Sequence, residues 1–230
     1  MVPSLNEEEN LEDTIDEIKS GIKGTTNSYE VIIFNDGSTD STGKIAEKIA
    51  QKDKHVTVFH NKTPRGMGFC YREGLKKAKF EYYMYIPGDN QFPGKALKKM
   101  LLEVGKADIV IPYVTNMNIR PVLRQLLSAT FTHSINILFG LNISYYNGTV
   151  IHKKKLLETA LPKTHGHAYQ AEILIRLIKR GASYTEVGYN MVERYAGSTS
   201  AFKLKNVKSV FRSILSLFWE LQLKPKINYR

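Results

Sequence analysis

The sequence predicts an α/β fold: a mostly parallel sheet flanked by helices, with an amphipathic helix near the C-terminal end. Three observations carry this. Short β-branched runs alternate with amphipathic, helix-length segments through the first half, the pattern of right-handed strand–helix–strand crossovers. Polar, glycine-bearing clusters follow the strands at Asn35–Asp40 and Gly88–Gln91. And 230 residues at 42% hydrophobic content suffice for one core and are short for two.

Taken in order, Met1-Val2-Pro3-Ser4 reads as the end of a strand, either very short or with its beginning missing. Leu11, Ile15, Ile18 and Ile22 recur on one helical face. Tyr29 to Phe34 is a strand running into the turn Asn-Asp-Gly-Ser. Ser41 to Lys52 is a helix with Ile45, Ala46 and Ile49 inward, His55 to His60 a strand, and Gly68 to Lys79 a helix. Tyr82 to Ile86 is a strand stopped by Pro87-Gly88, followed by a helix over Ala96 to Val104 and a strand over Ile109 to Pro112. Arg120 to Leu141 reads as a long helix and Tyr145–Gly148 as a turn. Ala168 to Arg180 is a helix closed by Gly181 at C′, and Ala182 to Val187 is a strand. From Val207 to Leu221 apolar residues keep helical spacing, with Lys205, Lys208 and Arg212 on another face. That last helix has two readings: packed on the domain, or lying on a membrane surface with its basic residues toward anionic headgroups.

Composition removes several classes. A single cysteine, Cys70, excludes an intramolecular disulfide framework and a cysteine-rich zinc site, and fits a reducing compartment. The most apolar stretch, Leu126 to Ile143, is interrupted by seven polar residues, so no transmembrane helix is expected. The acidic N-terminal segment is unlike a signal peptide, and a cytoplasmic location follows as the expectation. Net charge is +11 and uneven: residues 1–30 balance to −6 and residues 201–230 to +6. A basic end suggests an anionic partner or a solvated surface. The charge alone would admit nucleic acid, but the acidic N-terminal segment and the lack of any nucleic-acid motif argue against it.

In a parallel sheet, ligands bind beyond the carboxyl ends of the strands. Asp36 and Asp89 both fall there, each in a glycine-bearing loop. A carboxylate so placed reads a base or ribose, holds a divalent metal, or serves as a turn residue. Gln91 adds an amide oxygen two residues after Asp89, a thin metal site unless a diphosphate completes it. His165-Gly166-His167 has no evident third ligand and reads as a surface loop.

Six segments then resemble, in order and at matching spacing, family 2 glycosyltransferases. They are Pro3-Ser4-Leu5-Asn6-Glu7-Glu8 with Asn10-Leu11, Phe34 to Asp40, Asn61 to Gly74, Tyr85 to Pro93, Tyr169 to Glu172, and Glu193 to Ser200. The last two are similar to the branch that glycosylates dolichyl and polyprenyl phosphates. The resemblance runs from residue 3 to about residue 205. It implies one GT-A (Rossmann-like) domain over 1–205, with 206–230 a basic amphipathic helix and tail.

It further implies a GDP- or UDP-linked sugar donor, Mg2+ or Mn2+, and inverting transfer to a polyprenyl phosphate or a glycan hydroxyl. Carried over, Pro3, Leu5, Asn6 and Glu7 line the nucleoside pocket, and Asn35 and Asp36 contact the base. Arg65 lies near the diphosphate; Asp89 takes the metal with Gln91 beside it. Glu172 faces sugar or acceptor and is the candidate base for a hydroxyl acceptor. Arg194, with Lys203 and Lys205, holds the acceptor phosphate, Arg120 and Arg124 being further candidates. Peripheral contact with the cytoplasmic face of a membrane follows. Three departures stand out: Pro87 replaces the first acid of the metal motif, Ser200 a usual lysine, and Ser144 a frequent aspartate. Pro87 also motivates a different class, a GT-A-like module that binds nucleotide or lipid without transfer.

Overall fold

In the computed structural model, residues 1–161, 169–192 and 204–223 are described; in the last segment, side chains are described for residues 210 and 212–221. The α-helices and strands among these residues are, in order, β1 (Val2–Ser4), α1 (Leu11–Ile22), β2 (Val31–Asp36), α2 (Thr42–Lys52), β3 (Val56–Asn61), α3 (Met67–Lys77), β4 (Tyr82–Met84), α4 (Gly94–Leu101), β5 (Ile109–Val114), α5 (Val122–Phe139), β6 (Ile151–Lys153), α6 (Lys154–Thr159), α7 (Tyr169–Lys179), β7 (Tyr184–Tyr189) and α8 (Leu204–Leu223). The expected alternation through residue 115 is present element for element.

The strands form two hydrogen-bonded groups, β1-β2-β3 and β4-β6-β5-β7. They meet edge to edge: Ile86 N–H donates to Met1 O at 3.0 Å and Gly88 N–H to Pro3 O at 3.3 Å. β1 pairs with β2, β2 with β3 and β5 with β7 in parallel, so the sheet is mostly parallel as expected. β6 is the exception, antiparallel to both β4 and β5. β6 and α6 went unread in the sequence because a three-residue strand, Ile-His-Lys, is too short to show alternation.

Burial follows the strand period of two. On β2, Ile32 and Phe34 join one apolar cluster, with Cys70, Tyr71 and Leu75 of α3, Ile173 and Leu177 of α7, and Ile214 and Leu217 of α8. Val31 and Ile33 join the other, with Leu11 and Ile15 of α1, Ala46 of α2, and Leu97 and Met100 of α4. The result is a sheet covered on both faces, and every residue of β2 is buried, as a central parallel strand requires.

Two local devices place the rim loops. Gly181, at φ +94°, closes α7 in a Schellman turn: Ala182 N–H donates to Leu177 O and Gly181 N–H to Ile178 O. Pro112 sits inside β5, where a missing N–H would break a ladder. Ile109 N–H reaches Ser183 O and Thr115 N–H reaches Tyr189 O, so odd-numbered amides of β5 face β7. Pro112 therefore faces the other side, where β6 pairs only with Ile109 and Val110. Gly148 approaches there; a Cβ on it would stand 2.8 Å from Pro112 O.

Candidate functional site

The chain builds β1, β2 and β3 outward in one direction, then crosses back to place β4 on the other side of β1. The carboxyl ends of β1 and β4 thus flank a topological switch point, the position where open parallel sheets bind ligands. The loops there approach closely: a Cβ on Gly88 would stand 2.6 Å from Ser4 Oγ.

The β1 and β2 loops are laced together. Asn6, at φ 55°, accepts Thr39 N–H on Oδ1 at 2.9 Å, and its own N–H donates to Ser38 Oγ at 3.0 Å. Glu7 N–H donates to Thr42 Oγ1 at 2.8 Å, and Ser41 N–H donates to Glu8 Oε2 at 2.8 Å. Burial works against the Asp40 carboxylate, but hydrogen bonds from the Thr42 hydroxyl and amide outweigh it and hold its pKa below the usual range. Leu5 stays 44% exposed between these anchored neighbours. The lacing makes Leu5, Asn6 and Glu7 a pre-formed ledge beside the switch point.

Asn35 and Asp36 end β2, both buried. Asn35 accepts Ser38 N–H on Oδ1 at 3.2 Å, and its Nδ2 lies 3.0 Å from His60 Nδ1. Asp36 Oδ1 accepts Asn61 Nδ2 at 2.7 Å and Arg65 N–H at 2.9 Å; its Oδ2 accepts Gly66 N–H at 2.8 Å. The carboxylate therefore clamps the segment between β3 and α3. Gly37, at φ +75°, leaves room for the clamp, since a Cβ would collide with the Thr63–Pro64 backbone. The Asp36 charge, after burial, helps push the Cys70 thiol up to about 12. Arg65 lays its guanidinium over the Phe69 ring at 4.1 Å.

Across the switch point, Asp89 Oδ1 accepts Gln91 N–H at 3.3 Å, and Asn90, at φ 55°, donates its N–H to Thr14 Oγ1. Asp89 lies within electrostatic reach of Arg124, Tyr85 and Tyr189, and Arg124 within reach of Arg120 and Tyr145. Burial and the neighbouring Arg120 lower the Arg124 pKa, while Tyr145 and Asp89 oppose that shift. Arg120 is fixed by Tyr145, whose hydroxyl accepts Nη1–H at 3.2 Å, and by Met191 Sδ at 3.0 Å from Nη2. Asn116 ties Met191 in place through its N–H and carbonyl.

Four buried side-chain polar atoms lack a partner among the described residues: Ser4 Oγ, Arg120 Nε, Gln170 Oε1 and His152 Nε2. Ser4 lies against Gly88, and Arg120 belongs to the Asp89 group. Gln170 bonds Tyr169, whose ring packs on Tyr85. Three of the four thus cluster toward one rim, where a polar ligand would complete them.

Glu172 is placed differently. It is 5% exposed on α7, and its Oε1 accepts Arg176 Nε–H at 3.0 Å and Nη2–H at 2.8 Å. Arg176 also donates to both carboxylate oxygens of Glu220, at 3.0 and 2.9 Å. Glu172 thus belongs, with Arg176 and Glu220, to an ion cluster that fastens α8 onto α7. Ser144 is likewise occupied, bonding Glu186 through its N–H and hydroxyl. Arg194, Lys203, Ser200, His165 and His167 lie outside the described residues, as does the Lys205 side chain.

No group of three or more His, Cys, Asp or Glu side chains suited to a metal occurs among the described residues. The loop after β4 brings one carboxylate, Asp89, to the switch point, with Gln91 two residues on; Pro87 offers no side-chain donor. That set fits a hard divalent ion that keeps water and takes its other ligands from a diphosphate.

Comparison with known proteins gives the family and the fold. The profile of "Glycosyl transferase family 2" matches residues 1–170. An uncharacterised protein of Methanocaldococcus jannaschii is 26% identical over 95% of this chain and 98% of its own length. An undecaprenyl-phosphate mannosyltransferase of Micrococcus luteus is 25% identical over 86% of this chain and 85% of its own. A polyprenol monophosphomannose synthase of Mycolicibacterium smegmatis is 26% identical over 86% and 78%. In fold, the chain is similar to glucosyl-3-phosphoglycerate synthase from Mycobacterium tuberculosis in complex with Mg2+ and UDP. The TM-score is 0.73 at 18% identity, over 95% of this chain and 78% of that one.

Proposed function

The chain belongs to glycosyl transferase family 2, and from that membership we propose that it transfers a sugar, with inversion, from a nucleoside diphosphate to a polyprenyl phosphate at the cytoplasmic face of a membrane. The observation that carries the acceptor is the grouping of two arginines beside Asp89 at the switch point, Arg124 lying within electrostatic reach of both Asp89 and Arg120. The two mannosyltransferase relatives, named for undecaprenyl and polyprenol phosphates, support it.

The nucleoside rests on the Leu5–Glu7 ledge and Pro3, with Asn35 and Asp36 shaping the pocket floor. Asp36 works through the 61–66 segment, setting the backbone that aims Arg65 at the diphosphate. Asp89 and Gln91 would hold Mg2+ or Mn2+, which when bound offsets the charge growing on the leaving diphosphate. Arg124 and Arg120 hold the acceptor phosphate, for which the planar guanidinium fork is suited. Arg194, Lys203 and Lys205 are assigned the same task.

A phosphate acceptor is already an anionic nucleophile; a hydroxyl would need a base. The base candidate, Glu172, is committed to Arg176, which favours the phosphate. The alignment of two phosphates by fixed cations lowers the barrier.

The test is thermal stability against UDP and GDP, with and without Mn2+ or Mg2+, followed by transfer of labelled sugar to polyprenyl phosphate and to a saccharide. A metal-dependent stabilisation by one nucleotide, with label on the lipid alone, is expected. Nucleotide binding without transfer to either acceptor would favour a binding module, the reading that Pro87 motivates.

A further inference from the structure

The parallel register of β2 and β3 sets Asn35 opposite His60, so the two side chains stand side by side on one face of the sheet. Helix α2 covers that face, since its Ala46 packs in one cluster with Ile33, two residues before Asn35 on the strand. Gly43 and Glu47 are four apart on α2 and share a side of the helix. Gly43 lies against the Asn35 amide: a Cβ there would stand 2.7 Å from Nδ2 and 3.6 Å from His60 Nδ1. Glu47, one turn on, brings its Oε1 to 2.7 Å from His60 Nε2.

Donor and acceptor roles in this group follow one from another. A backbone amide can only donate, so Ser38 N–H places Oδ1 on the loop side of Asn35 and Nδ2 on the ring side. Asn35 Nδ2 then donates to His60 Nδ1 at 3.0 Å, which must be the bare nitrogen of the ring. The ring proton sits on Nε2 and is donated to the Glu47 carboxylate, which only accepts. Beyond Asn35 the line runs on into the ledge. Ser38 Oγ accepts Asn6 N–H, and Asn6 Oδ1 accepts Thr39 N–H. Asn6 is held by these bonds in the left-handed region, at φ 55°.

We propose that His60 is a positioning residue for the nucleotide of the donor. Kept in its Nε2–H tautomer by Glu47, the ring orients the Asn35 amide, and the amide sets the 38–39 loop and Asn6. Asn35 is 8% exposed, so an Nδ2 deprived of its acceptor is left close to dry, and turning the amide to satisfy it releases Ser38. A plain surface ion pair between His60 and Glu47, both exposed side chains, would make no such demand on the ring nitrogens. The inference rests on the donor reading above and adds to it a residue that acts through Asn35.

The experiment is calorimetric titration of the full chain with UDP and with GDP, each with Mn2+, on the wild type, His60→Asn and His60→Leu. It is paired with nitrogen-15 spectra of the wild-type imidazole. Asparagine puts an oxygen where Nδ1 stands and keeps the acceptor; leucine removes it. The wild type and His60→Asn should bind the same nucleotide equally well, and His60→Leu about fivefold more weakly. The spectrum should show the proton of His60 on Nε2. A leucine variant that binds like the wild type overturns the inference, as does an asparagine variant weakened as much as leucine. A ring protonated on Nδ1 alone overturns it without any variant, and none of these three results touches the donor reading. A wild type that binds neither nucleotide defeats the donor reading, and the inference with it.

Discussion

Asp36 and Gly66 lie thirty positions apart in the chain, yet the Asp36 carboxylate accepts the Gly66 amide at 2.8 Å, so the end of one strand dictates where a helix three elements later begins. The other oxygen takes the Arg65 amide and the Asn61 side chain. An isosteric Asp36→Asn change would turn an NH2 group toward donors that need an acceptor. We expect a loss of about 3 kcal/mol in urea unfolding, and a weaker nucleotide response because Arg65 is no longer aimed. Unchanged stability would show that the clamp is slack.

Asp89→Ala tests the other side of the switch point. Asp89 is the carboxylate this loop brings to the site, and in the proposed function it holds the metal. The variant should fold, lose the metal-dependent part of nucleotide stabilisation, and transfer sugar about a hundredfold more slowly. Retained metal dependence would move the ion elsewhere.

Glu172→Gln separates two roles. As a general base, Glu172 would cost orders of magnitude in turnover when neutralised. As a partner of Arg176 it should cost stability, about 1–3 kcal/mol, with turnover changed less than about tenfold. Arg176→Met should be worse, about 3 kcal/mol, because it removes the cation that buried Glu172 and half-buried Glu220 share. Urea melts and initial rates on the same preparations decide between the roles.

Acid stability should carry the signature of His152. It is fully buried, and desolvation lowers its pKa from 6.5 to about 3. Above pH 6.5 the ring is neutral folded and unfolded, and contributes no pH dependence. Between pH 6.5 and about 3 the unfolded chain binds a proton that the folded one refuses, so stability falls with acid by about 1.4 kcal/mol per pH unit. Among the depressed carboxylates, Asp53 is held at about 2 and acts mainly below pH 4. Stability measured from pH 6.5 to 4 should flatten by one proton in His152→Leu.

Much of this was legible in residues alone, and the parts that were not share a cause. Leu11, Ile15 and Ile18 announced the buried face of α1, Gly181 announced the end of α7, and the Asn35–Asp40 and Gly88–Gln91 clusters announced the rim. Local patterns suffice for local facts. Glu172 and Arg176, four apart on a helix, were a readable pair; Glu220, 44 positions past Arg176, was not, and it turns the pair into a helix fastener. Arg120 and Arg124 stood in the sequence as secondary candidates. Only the path of β5 and α5 brings them to Asp89, and Tyr145 and Met191, which hold Arg120, offered no signal of their own.

The seam between β1 and β4 divides the molecule by origin. Everything that shapes the ledge and its clamp comes from residues 5–66, while Asp89, Arg120, Arg124 and their tyrosine supports come from residues 85–191. The two groups touch through few hydrogen bonds, Ile86 to Met1 and Gly88 to Pro3 among them. Such an inheritance makes the two specificities separable: a chimera exchanging the first segment with that of a relative should acquire the relative's nucleotide preference and keep its own acceptor.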